Sequence, residues 1–276
     1  MPSSGVRSTP MSEMRLPEVG EQTANWLDSA SVLVTGAGGG IGSAVCAAFL
    51  TRGANVVGLD LDESWIRRLE GRRLSGKVRA VTGDVTIARD VAAAVEEAQQ
   101  TYGGLHVVIT AAGVQAVGSV EDTSEETWQK VLDINLTGTW LVCKHAVPAM
   151  RHSGGGIILC LASTTALHPR ERLGAYCVSK AGVGMLVRVL GREVAHEGIR
   201  VVGVCPTGVE TPLLAGMIKE LQEDGASADH NAGLMASKPV KRWLTADEVA
   251  ETLVWLTSPA APSITGSNIP LDFASA

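Results

Sequence analysis

The chain has 276 residues, 23 basic and 29 acidic, and a formal net charge of −6. A hydrophobic share of 45% supplies a substantial core and excludes disorder along the whole chain, while a charged share of only 19%, on the acidic side, argues against a nucleic-acid binder. No apolar run reaches the roughly 18 residues of a membrane span. The N-terminal stretch from Met1 to Gly20 has no apolar centre of the kind a secretory signal carries. Five scattered cysteines (Cys46, Cys143, Cys160, Cys177, Cys205) contain no CxxC pair, so reduced, buried thiols in a cytoplasmic protein are expected. The histidines show neither HxxxH nor HExxH spacing, so no metal is expected.

Residues 1–29, rich in Pro, Ser, Glu and Arg, are expected to form a flexible tail, and residues 30–276 a single catalytic domain. Along that domain, short β-branched runs alternate with longer helical stretches. Strands are expected at Ser31–Thr35, Asn55–Asp60, Val78–Thr82, His106–Thr110, Gly156–Ala162, Ile199–Cys205 and Asn268–Leu271. Helices are expected at Ile41–Arg52, Ala88–Tyr102, Glu125–Arg151, Gly174–His196 and Thr245–Thr257. The basic run Arg67, Arg68, Arg72, Arg73 and Lys77, broken by Glu63 and Glu70, reads as a solvated helix face. The strands are nearly continuous apolar runs, as befits strands covered on both faces, and the alternation predicts a doubly wound α/β fold with a mostly parallel sheet of about seven strands. The thirty residues from about 212 to 241 interrupt this rhythm after the sixth strand and are read as a lid over the ligand crevice.

The first strand runs into Thr35-Gly36-Ala37-Gly38-Gly39-Gly40-Ile41-Gly42. A strand, a glycine-rich turn and a helix start suit a dinucleotide pyrophosphate, because bare backbone approaches closely and the helix N-terminus offers free N–H groups. Asp60 ends the second strand, where a carboxylate accepts hydrogen bonds from ribose hydroxyls and repels a 2′-phosphate. With no Arg or Lys in the turn or directly after Asp60, NAD is expected rather than NADP. Tyr176 and Lys180 lie four apart in a helical stretch and so share a face. An ammonium and an oxidised nicotinamide nearby would favour the phenolate of a tyrosine whose free pKa is about 10. Ser163, after the fifth strand, can bond the same substrate oxygen or simply cap a turn. Asn135 lies in an apolar helical stretch, where its amide must bridge backbone or hold an ordered water.

With these motifs in register, the chain resembles the short-chain dehydrogenase/reductase family of the TGxxxGxG and YxxxK type over about residues 29–274, with its Rossmann-like fold. The resemblance implies that Thr35, Gly36, Gly39, Gly40, Ile41 and Gly42 cradle the dinucleotide, that Asp60 reads the ribose, and that Asp84 and Val85 hold the adenine. It implies a catalytic tetrad of Asn135, Ser163, Tyr176 and Lys180. Tyr176 would exchange the proton, Ser163 would polarise the substrate oxygen, Lys180 would hold the nicotinamide ribose, and Asn135 would hold a water toward solvent. Ala112, Gly113, Pro206 and Val209 would border the cofactor, and Thr211 would bond its carboxamide. The family's NNAG reads Thr110-Ala111-Ala112-Gly113 here, its Pro-Gly reads Pro206-Thr207-Gly208, and its terminal Asp-Gly-Gly reads Asp272-Phe273-Ala274.

The expected reaction interconverts a secondary alcohol and a ketone with NAD. The substrate is read as a hydrophobic small molecule, because Val114, Leu167, Leu213, Leu214 and Met217 fall in segments facing it. His168, Arg170 and Arg172 are read as surface salt-bridging residues, with an anionic substrate group as the other possibility. An enoyl reductase relative would space its Tyr and Lys more widely. The alternative function is a non-catalytic NAD-binding sensor on the same fold, although such a module has no need of Tyr176 and Lys180 together. Neither nucleic acid nor membrane is expected as a partner. The long helices at 125–151 and 174–196 resemble those the family uses for dimer and tetramer contacts, so a homo-oligomer is expected.

Overall fold

The computed structural model describes residues 26–69, 71–223 and 239–275. Seven strands form one sheet in the order β3-β2-β1-β4-β5-β6-β7. They are β1 (Ser31–Thr35), β2 (Asn55–Asp60), β3 (Val78–Thr82), β4 (Val107–Thr110), β5 (Gly156–Leu161), β6 (Ile199–Pro206) and β7 (Ser267–Leu271). Every neighbouring pair is parallel. All carboxyl ends therefore emerge at one edge, and the order reverses between β1 and β4, where such sheets open a crevice. The helices are α1 (Gly40–Thr51), α2 (Ala88–Tyr102), α3 (Glu125–Leu132), α4 (Gly138–His152), α5 (Gly174–Val194), α6 (Pro212–Glu223) and α7 (Ala246–Thr257).

Alternate residues of the central strands feed two cores, one on each face. Val32, Val34, Ile109, Leu159 and Val204 pack with α1 and α7 on one side. Leu33, Val57, Val108, Ile158 and Val201 pack with α2, α4 and α5 on the other. Such side chains are wholly buried, and each contributes about 1.5–3 kcal/mol by leaving water. The doubly covered sheet explains why its strands read as unbroken apolar runs.

Three expectations change. The helix predicted over Glu125–Arg151 is two helices, joined by a π-helical turn at Asp133–Thr137 that contains Asn135. Residues 26–29, assigned to the tail, lie against the body: Leu27 is buried, and the Trp26 indole donates to the Thr257 hydroxyl at 3.0 Å. The lid begins as an ordinary helix, α6, and returns as a bridge between Val209 and Leu244. Its middle, 224–238, lies outside the described residues, as do residues 1–25 of the tail. Among the described residues no helix is long and apolar enough to cross a membrane.

Candidate active site

The glycine turn, Asp60, Asp84, Ala112–Gly113, Ser163 and Pro206–Thr211 all follow strand carboxyl ends, so parallel topology alone gathers them at one edge. Gly36 adopts φ 65°, and a Cβ there would lie 2.6 Å from the Ala112 backbone, so the turn presses directly on the chain leaving β4. Added methyls at Gly40 and Gly42 would run into Thr211 and the Gly36 carbonyl. The first turn of α1 has no side-chain cap and no acidic residue, which leaves its N–H groups and positive dipole end for an anion.

Asp60 accepts from the Gly38 N–H at 2.7 Å and the Leu61 N–H at 2.7 Å. A carboxylate has lone pairs to spare beyond these two bonds. The basic run is solvent-exposed as expected, and within it the Arg68 guanidinium also donates to the Gly38 carbonyl at 2.6 Å, on the turn itself. Trp65, also unforeseen, is buried beside Gly38, and its ring fills the space a side chain at Gly58 would need. Asp84 accepts from the Thr86 N–H and hydroxyl, both at 2.8 Å. Val85 is buried against Gly138 at the start of α4.

A cleft opens beyond Gly113, bounded by Ser163, Tyr176, Lys180, Pro206, Val209 and Thr211, with Ile41 also in its lining. Tyr176 and Lys180 project from one face of α5, with the ammonium 5.8 Å from the phenol ring centre. Lys180 is buried and donates to the Leu161 carbonyl at 2.8 Å. Burial without a carboxylate lowers its pKa to about 8. Burial pushes the Tyr176 phenol above its ordinary value, and a hydrogen bond with Ser163 pulls the other way. Ser163 caps the turn that follows β5, its hydroxyl accepting from the Thr165 N–H at 3.2 Å.

Asn135 lies one layer below, wholly buried. It bridges backbone: Oδ1 accepts from the Val114 N–H at 2.8 Å, and Nδ2 donates to the Val114 carbonyl at 2.8 Å and to the Ser179 hydroxyl at 3.0 Å. Ser179 in turn donates to the Tyr176 carbonyl at 2.8 Å, so Asn135 ties the loop after β4 to the turn of α5 that carries the tyrosine. A Cβ on Gly113 would stand 3.3 Å from Asn135 Oδ1, a tight contact, and 3.6 Å from Lys180 Nζ, an ordinary one, so the bare backbone here lies against both groups.

The lining of the cleft also includes Leu173, Leu213, Leu214 and Met217, with Gln115, Thr165 and Arg170 as polar members. Trp243 completes it and was not foreseen. Its ring occupies the space left by Gly208, and the Leu244 N–H donates to the Gly208 carbonyl at 3.0 Å. Nothing local marks a residue thirty-five positions away as the neighbour of Gly208.

Dinucleotide binding fits this arrangement: an uncapped helix start follows a glycine turn, a carboxylate stands at the end of β2, and a buried ammonium makes one hydrogen bond among the described residues. The family model described as enoyl-(acyl carrier protein) reductase matches residues 36–273. A 2-(S)-hydroxypropyl-CoM dehydrogenase of Xanthobacter autotrophicus is 32% identical over 251 residues, covering 90% of this chain and 97% of that protein. A D-threitol dehydrogenase of Mycolicibacterium smegmatis is 35% identical over 250 residues, covering 89% and 92%. The solved structure of a 3-ketoacyl-(acyl-carrier-protein) reductase from Brucella melitensis complexed with NADH superposes with a TM-score of 0.80 at 30% identity, covering 90% of this chain and 99% of that one.

Proposed function

The chain belongs to the short-chain dehydrogenase/reductase family, and from that membership we propose that it is an NAD-dependent oxidoreductase interconverting a secondary alcohol and a ketone. The observation that carries the reading is the meeting of Tyr176, Lys180 and Ser163 in one cleft beside the glycine turn. The dehydrogenase names of its relatives support CH–OH chemistry. The Tyr–Lys spacing of four favours that over the enoyl reduction in the family model's description.

In the proposed reaction Tyr176 takes the proton of the substrate hydroxyl, and Ser163 donates a hydrogen bond to the same oxygen. Lys180 supplies positive charge beside the phenolate and holds the nicotinamide ribose. Asn135 is a positioning residue, fixing Val114 and Ser179 around the tyrosine. The glycine turn and α1 hold the pyrophosphate, Asp60 the adenosine ribose, and Asp84 with Val85 the adenine. Ala112, Gly113, Pro206 and Val209 would border the nicotinamide, and Thr211 would bond its carboxamide. When bound, an oxidised nicotinamide would supply the acceptor for the hydride leaving the carbinol carbon.

Asp60 supports NAD, because its charge opposes a 2′-phosphate while Arg68 is engaged with the Gly38 carbonyl. The homo-oligomer reading is supported by the apolar side chains Val178, Met185 and Val189, exposed along α5, with Trp140 exposed on α4. A cytoplasmic protein acting on a small molecule, with neither nucleic acid nor membrane as partner, completes the proposal. Its test follows nicotinamide absorbance with a panel of cyclic and acyclic secondary alcohols, comparing NAD with NADP. Tyr176→Phe is expected to cut turnover at least a hundredfold with NAD affinity within a few-fold, and Asp60→Ala to erode discrimination against NADP. Full activity in Tyr176→Phe would remove the tyrosine from the proton transfer.

A further inference from the structure

One charge in the cleft has no task in the alcohol–ketone reaction. Arg170 lies in the loop between Ser163 and α5 and lines the cleft. The sequence suggests a surface salt bridge there, with Glu171 adjacent. Instead, among the described residues the Arg170 guanidinium takes part in none of the ion pairs. The hydrogen bond made by this residue uses its carbonyl, which accepts from the Cys177 thiol at 3.7 Å. No Asp or Glu lines the cleft among the described residues.

Arg170 is half-buried, and desolvation pushes its pKa below the ordinary guanidinium value. A guanidinium keeps its proton even so. The cleft thus holds a standing positive charge among apolar walls formed by Leu173, Leu213, Met217 and Trp243. Withdrawing a cation from water without a partner is costly. The planar fork of N–H donors is shaped for an oxyanion, which it can take in bidentate fashion. Lys180, the other cation lining the cleft among the described residues, is engaged with the Leu161 carbonyl.

We infer that the substrate is an anionic secondary alcohol whose carboxylate or sulfonate is held by Arg170 while its carbinol carbon lies at Tyr176 and Ser163. The inference rests on the dehydrogenase reading of the same cleft. It takes up the anionic alternative that the sequence left open for Arg170: the apolar walls take the carbon skeleton, and Arg170 takes its charged end.

The test measures, by calorimetry on the NAD-loaded protein, the binding of cyclohexanecarboxylate, cyclohexanesulfonate and cyclohexanecarboxamide, three ligands of one skeleton. At least one anion is expected to bind tenfold or more tighter than the carboxamide, and which of the two does so separates carboxylate from sulfonate substrates. Arg170→Met should bring that ratio to near unity, and Arg170→Lys should retain part of it. Circular dichroism of both variants establishes that they are folded. Equal affinity for the three ligands, binding of none of them, or a preference that survives Arg170→Met overturns the inference. Oxidation of neutral cyclohexanol is followed separately. Anion preference lost with cyclohexanol still oxidised removes this inference alone; anion preference intact without oxidation of any alcohol upholds the anion site and removes the dehydrogenase reading.

Discussion

Lys180 shows at the scale of one residue how the site is held against the interests of the fold. Burial lowers its pKa from 10.5 to about 8, so folding with the charged ammonium costs about 3 kcal/mol. Below pH 8 the lysine is protonated both folded and unfolded, and the full cost applies. Between pH 8 and 10.5 the folded protein sheds the proton that the unfolded chain keeps, so the cost fades as pH rises. Lys180→Met removes the charge but leaves the Leu161 carbonyl without its donor. The variant should therefore be more stable than the parent by roughly 1–2 kcal/mol at pH 7 and lose turnover. Denaturant titrations at several pH values check this, and the advantage should shrink from pH 8 toward 10.5. Equal stability at pH 7 would mean that water or a relaxed geometry solvates the ammonium.

At the scale of elements, the chain leaving β7 carries a second strain. Phe273 and Ala274 adopt φ 56° and 58°, a left-handed conformation that costs a non-glycine residue about 1–2 kcal/mol. The Ala274 N–H donates to Asp272 at 2.9 Å, and the Arg242 guanidinium stands 4.7 Å from the Phe273 ring centre. Ala274→Gly keeps those contacts and relieves the backbone, so it should raise stability by about 1 kcal/mol, read as a higher unfolding midpoint. Destabilisation would mean that the alanine methyl packs to greater advantage than the backbone strain. Elements bounded by composition were legible in the sequence: β1, β2 and β3 match their predicted limits because β-branched runs end at glycine or polar residues. The split between α3 and α4 was not legible, because a π-helical turn uses residues that suit an α-helix equally well. That turn holds Asn135, so the sequence identified the residue without the backbone that buries it. Trp243, Trp65 and Arg68 escaped for another reason. Each reaches its place through contacts distant in sequence, and local periodicity carries no trace of those.

For the whole molecule, parallel topology explains why so much of the candidate site was legible. Once seven parallel strands are granted, every residue just past a strand end must share one edge, which accounts for the glycine turn, Asp60, Asp84, Ser163 and Pro206–Thr211, whereas Tyr176, Lys180 and Asn135 come to that edge on helical segments. Walls built by chain returning from elsewhere, such as the bridge between Val209 and Leu244, were beyond that logic. The exposed apolar stripe on α5 belongs to this scale too. Met185 and Val189 are 54% and 47% exposed, and Met185→Glu with Val189→Glu should lower the mass seen by light scattering to that of a single chain. An oligomer mass unchanged by the substitutions would contradict the proposed contact through this stripe, and a parent already at single-chain mass would contradict the proposed homo-oligomer itself. The central claim, hydride transfer from a carbinol carbon with Tyr176 exchanging the proton, is tested most directly with a turned-over secondary alcohol deuterated at that carbon. One deuterium is expected on the nicotinamide ring of the NADH formed, read by mass spectrometry, with none formed by Tyr176→Phe. Reduced cofactor without deuterium, or equal labelling by the Tyr176→Phe variant, would contradict it.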